Sequence, residues 1–332
     1  MRETDTLMAA IRAEAEKIDA VMAADLARLR PEMDSLLFEV LEYGLFNGGK
    51  RIRPLLVVLS ARLCGLKDES VYELAIGFEY LHVATLFHDD VIDNAVTRRG
   101  RPAVNNRFGL VAAILAGDFL HAQAMKIVGT LAGREGLKIF CNATTGMVDG
   151  EFMQLRNAAS VSLSEADYYD AIMGKTGLLI AASCEIGALF GGASGQQQDA
   201  LRRYGVGLGC AFQLVDDLLD YTGDQKKTGK KVGNDLAEGK MTLPLINALA
   251  RAEETDRDIL ETILTDQLSR EEGFRKVTDI IQKYDGFTET RRRAEDAVRE
   301  AVAHLDLFSA SDSKKDKNIL IGLAGYVLAR EK

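Results

Sequence analysis

Two acidic clusters with the same spacing stand out in the chain: DDVID at 89–93 and DDLLD at 216–220, each inside an apolar run. In a helix, residues four apart share a face, so Asp89 and Asp93 project together, as do Asp216 and Asp220. Carboxylates at that spacing repel each other unless a cation sits between them. Hard oxygen donors with little His or Cys nearby suit Mg²⁺, which keeps waters and grips phosphate oxygens. A single DDxxD reads about equally well as a solvated acidic face. Two of them, flanked by ATLF and VI and by FQLV and LL, favour a buried cavity.

The basic residues supply the complement. Lys50, Arg51 and Arg53 follow Gly48-Gly49, Arg98 and Arg99 follow the first cluster, and Lys226, Lys227, Lys230, Lys231 and Lys240 follow the second. Arg and Lys beside Gly-rich backbone suit a diphosphate, through forked hydrogen bonds and point charge. His82 and His88 precede the first cluster. Mg²⁺ prefers oxygen, so His82 is as consistent with a phosphate donor as with a satisfied core histidine. There is no GxSxG, Walker loop, GxGxxG or Ser-His-Asp order. A metal-held diphosphate is a stabilised leaving group, its departure leaves a carbocation, and a dry apolar cavity must protect that cation from water.

The elements that must carry these groups read as helices. Residues 7–29 place Leu7, Ile11, Ile18, Met22, Leu26 and Leu29 on one face, and similar stretches recur at 55–64, 71–92, 110–130, 136–156, 165–190, 199–221, 243–253, 257–283, 287–305 and 317–330. Several are apolar all round (LLVVLSARL, GLVAAILAGDFL), and nothing alternates at period two. With no Trp and four Pro in 332 residues, the expectation is all-α: one large helical bundle around a central cavity, a single domain over 1–332. GGKRIRP at 48–54 and the Gly- and Lys-rich segment 222–240 break the pattern as functional loops.

Lys and Arg total 41 against 50 Asp and Glu, a net charge of -9 that opposes nucleic-acid binding. Cys64, Cys141, Cys184 and Cys210 lie far apart without a CxxC pair and read as reduced core thiols of a cytoplasmic protein. MRETDTLMAA lacks the basic and apolar regions of a secretory signal. The stretch 177–195 has Glu185 mid-run and five Gly, and reads as an internal helix, with no transmembrane segment expected.

The chain resembles the trans (E-type) polyprenyl diphosphate synthases, most of all their octaprenyl diphosphate synthase group. GGKRIRP, LHVATLFHDDVIDNAVTRRGRPA, Gly117-Asp118, Gly150-Glu151, Lys175-Thr176, FQLVDDLLDY and TGKKVGNDLAEGKMTLP match in order across about residues 44–250. The resemblance implies an isoprenoid-synthase fold, a homodimer, and Mg²⁺, three ions with diphosphate bound. It implies that Asp89, Asp93 and Asp216 ligate metal, supported by Asp90, Asp217 and Asp220. It assigns Lys50, Arg53, His82 and Arg99 to isopentenyl diphosphate, and Arg98, Lys175, Thr176, Gln213, Lys230 and Lys240 to the allylic diphosphate, with Lys175 also catalytic. Met241 departs from the family, which often has Pro after EGK.

By the same resemblance, a bulky aromatic four or five residues before the first Asp gives short products; here Thr85 and Ala84 are small, which implies a medium or long chain. Val128 and Phe140 are candidates for the cavity floor, and Phe140 fits ordinary core packing equally well. Other readings are a geranylgeranyl or farnesyl diphosphate synthase, a class I terpene cyclase, whose second metal motif differs from DDLLD, and a non-catalytic subunit.

Overall fold

The computed structural model describes residues 3–223, 232–309 and 313–330. The described residues are 82% helical, as the apolar patterning requires. It divides into two compact units.

The first unit comprises Met1–Cys141, Ala182–Leu201 and Leu307–Gly322. Its helices α1 (Glu3–Leu29), α2 (Ser35–Leu45), α3 (Ile52–Leu63), α4 (Val71–Ile92), α5 (Val104–Phe108) and α6 (Leu110–Leu131) follow in chain order. The α1 stripe buries Ile11, Ile18, Met22 and Leu26 as the spacing predicts. α3 is buried from Pro54 to Ala61, consistent with its uninterrupted apolar run. α4 packs chiefly against α6, with Gly77 meeting Val128 and Ile127.

α2 was not among the expected helices. Asp34 starts it: its carboxylate accepts from the backbone N–H of Leu36 at 2.8 Å and Leu37 at 3.4 Å. Beside the all-α architecture there is one short ribbon. Thr97–Arg98 (β1) pairs antiparallel with Arg101–Pro102 (β2), too short to show a period of two.

The second unit comprises Asn142–Ala181, Arg202–Asp306 and Leu323–Lys332. Helices α7 (Gly133–Arg156), α8 (Glu165–Ile172), α9 (Leu178–Phe190), α10 (Gly195–Thr222) and α16 (Lys314–Leu328) contribute to it, together with α11 (Asn234–Ala237), α12 (Leu243–Arg251), α13 (Glu254–Thr265), α14 (Gln267–Lys283) and α15 (Gly286–His304). α12 is buried from Leu243 to Leu249 and packs on α15 and α14. Tyr221 stacks on Phe274 at 6.0 Å.

Two expected helices are interrupted. The stretch 257–283 breaks at Asp266, whose carboxylate caps the new helix through the N–H of Ser269 at 2.9 Å. The stretch 165–190 contains a π turn, Met173–Gly177. The whole helical run Glu165–Phe190 is long and apolar enough to cross a membrane by length and composition, as is α6; 67% and 39% of their most apolar windows are buried, and buried core helices meet the same criterion. The four cysteines are free; Cys184 is buried, and Cys64, Cys141 and Cys210 are half-buried rather than core.

Candidate active site

In the first unit the expected groups gather where α4 ends. Asp89 is half-buried on its last turn, and Asp93 is exposed and terminates it, its N–H bonded to the Asp89 carbonyl at 2.8 Å. Asp90 points inward: it is 1% exposed, and its carboxylate accepts from Arg98 Nε at 2.7 Å and Nη2 at 2.6 Å. This contact holds Arg98 at the first cluster. Arg99, in the left-handed region at φ 52°, turns its guanidinium onto the carbonyls of Asn47, at 3.3 Å, and Gly48.

Of the three basic residues after Gly48-Gly49, Arg51 is an internal anchor. It is 2% exposed, sits at φ 50° before α3, and binds Glu79 at 2.6 Å, Asp19 at 2.7 Å and the Leu45 carbonyl at 2.7 Å. That network holds the unfavourable backbone and leaves Lys50 exposed and Arg53 half-buried beside it. His82 registers the result. Burial first, then the charges of Arg53, Arg99, Arg98 and Arg51, push its pKa well below the ordinary value. Positive charge converging on a neutral imidazole favours an anion there.

In the second unit, Lys175, Gln213, Asp217 and Lys240 line one cavity of about 90 Å³, and Thr176 is tied to it through Gln213. The π turn brings Lys175 there because Gly150 and Gly174 let α7 approach closely: a Cβ on Gly150 would lie 2.4 Å from the Lys175 nitrogen. Lys175 Nζ pairs with Glu151 at 2.7 Å and donates to Gln154 at 2.9 Å. Thr176 donates to Gln213 at 3.2 Å, and Gln213 to Asp217 at 2.9 Å; Tyr168 donates to the other Asp217 oxygen at 2.6 Å. Burial and then the nearby Asp235 raise the Asp217 pKa well above the carboxylate range. The same two causes push Asp220 up to about 6, although its carboxylate accepts from the Asp235 N–H at 3.0 Å. Lys240 Nζ lies 3.3 Å from Asp235 and 2.6 Å from Glu238; burial opposes its charge, but these carboxylates outweigh burial and raise its pKa. Asp216 is half-buried, and Lys230 lies outside the described residues.

Among the described residues, no three Asp, Glu, His or Cys side chains form a group that could hold a metal ion. Mg²⁺ typically takes one or two carboxylates, several waters and phosphate oxygens rather than a protein cage, so the carboxylates of the two motifs fit it.

Of the chain-length candidates, Ala84, Val128 and Phe140 are buried and Thr85 is half-buried, donating to the His82 carbonyl at 2.8 Å. Phe140 packs edge-on against Phe78 at 5.4 Å. Sequence reasoning did not single out Asp235 or Tyr168, and it named Glu151 only as part of the Gly150-Glu151 match, without a role. Asp235 had a signal, five residues before Lys240 within GNDLAEGK.

The polyprenyl synthetase family matches residues 34–281. Octaprenyl diphosphate synthase of Haemophilus influenzae is 35% identical over 309 residues, 93% of this chain and 92% of that protein. Geranylgeranyl diphosphate synthase of Saccharolobus solfataricus is 36% identical over 258 residues, 74% of this chain and 78% of the relative. Among solved structures, polyprenyl synthase of Caulobacter crescentus CB15, complexed with calcium and isoprenyl diphosphate, superposes with a TM-score of 0.88 at 34% identity, covering 99% of this chain and 98% of that one. With the all-helical fold and both aspartate motifs in place, the chain belongs to the polyprenyl synthetase family and is a prenyltransferase, a polyprenyl diphosphate synthase.

Proposed function

We propose that the protein adds isopentenyl diphosphate units to an allylic primer, farnesyl diphosphate, and makes all-trans octaprenyl diphosphate. The observation that carries this reading is the pair of arginines held where α4 ends, Arg98 by Asp90 at 2.7 Å and Arg99 by the Asn47 carbonyl at 3.3 Å and the Gly48 carbonyl, next to the Asp89–Asp93 turn. Lys50, Arg53, Arg99 and His82 hold isopentenyl diphosphate. Arg98, Lys175, Thr176, Gln213, Lys230 and Lys240 hold the allylic diphosphate and neutralise it as it leaves. Asp89, Asp93 and Asp216 would hold three Mg²⁺ ions, supported by Asp90, Asp217 and Asp220; bound there, the metal supplies Lewis-acid stabilisation of the diphosphate. The allylic C–O bond breaks with its electron pair on the diphosphate. The isopentenyl double bond attacks the cation, and the departing diphosphate takes the proton that is lost.

The finer assignments rest on supporting features. The relatives with octaprenyl and geranylgeranyl products bracket the chain length, and small Ala84 and Thr85 support the longer one. The exposed apolar row Leu110, Val111, Leu115 and Met125 on α6 supports packing of a second copy as a homodimer. Free cysteines support a cytoplasmic, reducing setting, and the continuous order of the motifs supports one catalytic domain over 1–332.

The test is incubation with Mg²⁺, labelled isopentenyl diphosphate and farnesyl diphosphate, followed by dephosphorylation and chain-length analysis. Polyprenols of about eight isoprene units are expected from the similarity to octaprenyl diphosphate synthases. Four-unit products would assign a geranylgeranyl synthase, and unlabelled hydrocarbon a cyclase.

A further inference from the structure

The β1–β2 ribbon that carries Arg98 and Arg99 has only two residue pairs, Thr97 with Pro102 and Arg98 with Arg101. An isolated hairpin of that size does not hold itself in water, so its position must come from side chains that grip it. Beyond the Asp90–Arg98 and Arg99–Gly48 contacts and the bond from Asn106 Nδ2 to the Val96 carbonyl at 3.3 Å, two further grips come from residues one helical turn apart where α2 ends. Tyr43, 9% exposed, donates its hydroxyl to the Pro102 carbonyl at 2.7 Å. Its ring meets Phe108 edge-on at 5.5 Å, and the guanidinium carbons of Arg101 and Arg107 lie 4.5 and 4.3 Å from its centroid. Asn47 donates through Nδ2 to the Arg98 carbonyl at 3.3 Å, and its own carbonyl accepts from Arg99 Nη1 at 3.3 Å. The chain then continues directly into Gly48, Gly49 and Lys50.

We infer that Tyr43 and Asn47 form a clamp that locks the Arg98–Arg99 ribbon to the Gly48–Arg53 loop and so fixes the spacing of the cations that grip isopentenyl diphosphate. Both are positioning residues that act through Arg99 and Lys50. The inference rests on the assignment of Lys50, Arg53 and Arg99 to that substrate. Its physical basis is that the ribbon and loop carry like charges, which separate unless neutral groups tie their backbones together. Close approach already marks the join: a Cβ on Gly49 would lie 3.1 Å from Arg99 Nη1.

The test uses Tyr43→Phe, which deletes one hydroxyl and keeps the ring, and Asn47→Ala as an independent second variant. Each should raise KM for isopentenyl diphosphate about three- to tenfold, the worth of one hydrogen bond. The expected kcat stays within about twofold, and the KM for the allylic diphosphate rises less than that for isopentenyl diphosphate, because Arg98 is the one group assigned to the allylic substrate that the ribbon carries. Calorimetric titration with inorganic diphosphate should show the same weakening without turnover. Unchanged KM and diphosphate affinity in both variants would overturn the clamp. So would an equal loss for both substrates together with a lowered melting temperature, which marks a merely structural role. If the wild-type protein fails to elongate any primer, the functional reading falls, and the inorganic diphosphate titration still decides the clamp.

Discussion

Arg330 Nη2 lies 2.8 Å from Asp216 Oδ1, and its guanidinium carbon sits 4.4 Å from the centroid of Phe212. A side chain two residues from the end of the sequence thus places a positive charge on a carboxylate assigned to metal. Its Nε and Nη1 are buried and meet no hydrogen-bond acceptor among the described residues, so Asp216 is the principal electrostatic reason for its position. A magnesium ion at Asp216 must compete with this guanidinium. Arg330→Gln is therefore expected to lower the Mg²⁺ concentration for half-maximal activity about two- to fivefold, in line with a part-exposed ion pair. A raised requirement would mean that Arg330 orders Asp216 for the metal instead of competing with it.

The site was legible where chemistry demands residue types at a fixed spacing. Lys175 and Thr176 are reached only through the family resemblance, whereas Asp89 and Asp93 announce themselves because paired carboxylates in an apolar run call for a cation between them. Groups that act by holding others did not. Tyr43 and Asn47 are ordinary helix-end residues until the ribbon lies against them, and Arg51 looked like a third substrate cation until its partners Glu79 and Asp19 were in place. The helices were legible from apolar spacing, but their ends were not. Asp266 interrupts a pattern that stays amphipathic on both sides, and only its capping of Ser269 reveals the break. The π turn at Met173–Gly177 comes from the close approach of Gly146, Gly150 and Gly174, a contact between segments distant in sequence.

The Arg51–Glu79 pair makes a stability prediction. Both side chains are almost fully buried, at 1% and 3% exposed. Removing one member leaves an uncompensated charge, so Glu79→Ala is expected to cost about 3–5 kcal/mol of unfolding free energy in urea titration. A loss below about 1 kcal/mol would show that Asp19, already bound to Arg51 Nε, suffices as its partner.

Product length can be read along α4. Ala84 stands five residues before Asp89, about 7.5 Å of helix, and Phe78, which touches Phe140, stands eleven residues before it, about 16 Å. Ala84→Tyr places a ring on the shorter path and is expected to shorten the main product in chain-length analysis, while overpacking its buried site by about 1–3 kcal/mol. An active variant with an unchanged product would discard the ruler. At one unit per turn, a floor at Phe78 would stop growth after about three units. An octaprenyl product therefore requires Phe140 to be core packing, and Phe140→Leu should then leave the length unchanged.

His82 makes the pH prediction. An unfolded histidine titrates near pH 6.5, while burial and the charges of Arg53, Arg99, Arg98 and Arg51 hold the folded His82 well below that. Above pH 6.5 both states are neutral and the group contributes nothing. As pH falls below 6.5 the unfolded chain gains a proton that the folded one refuses, so stability is lost, by at most about 1.4 kcal/mol per pH unit, until the folded pKa is reached. His82→Asn should remove that part of the difference between urea midpoints at pH 7 and pH 5. Inorganic diphosphate should raise the His82 midpoint in an NMR titration, because it neutralises the arginine charges that depress it. A midpoint near 6.5 without diphosphate would show that the guanidinium fields do not converge on His82, and His82 would drop out of the anion site.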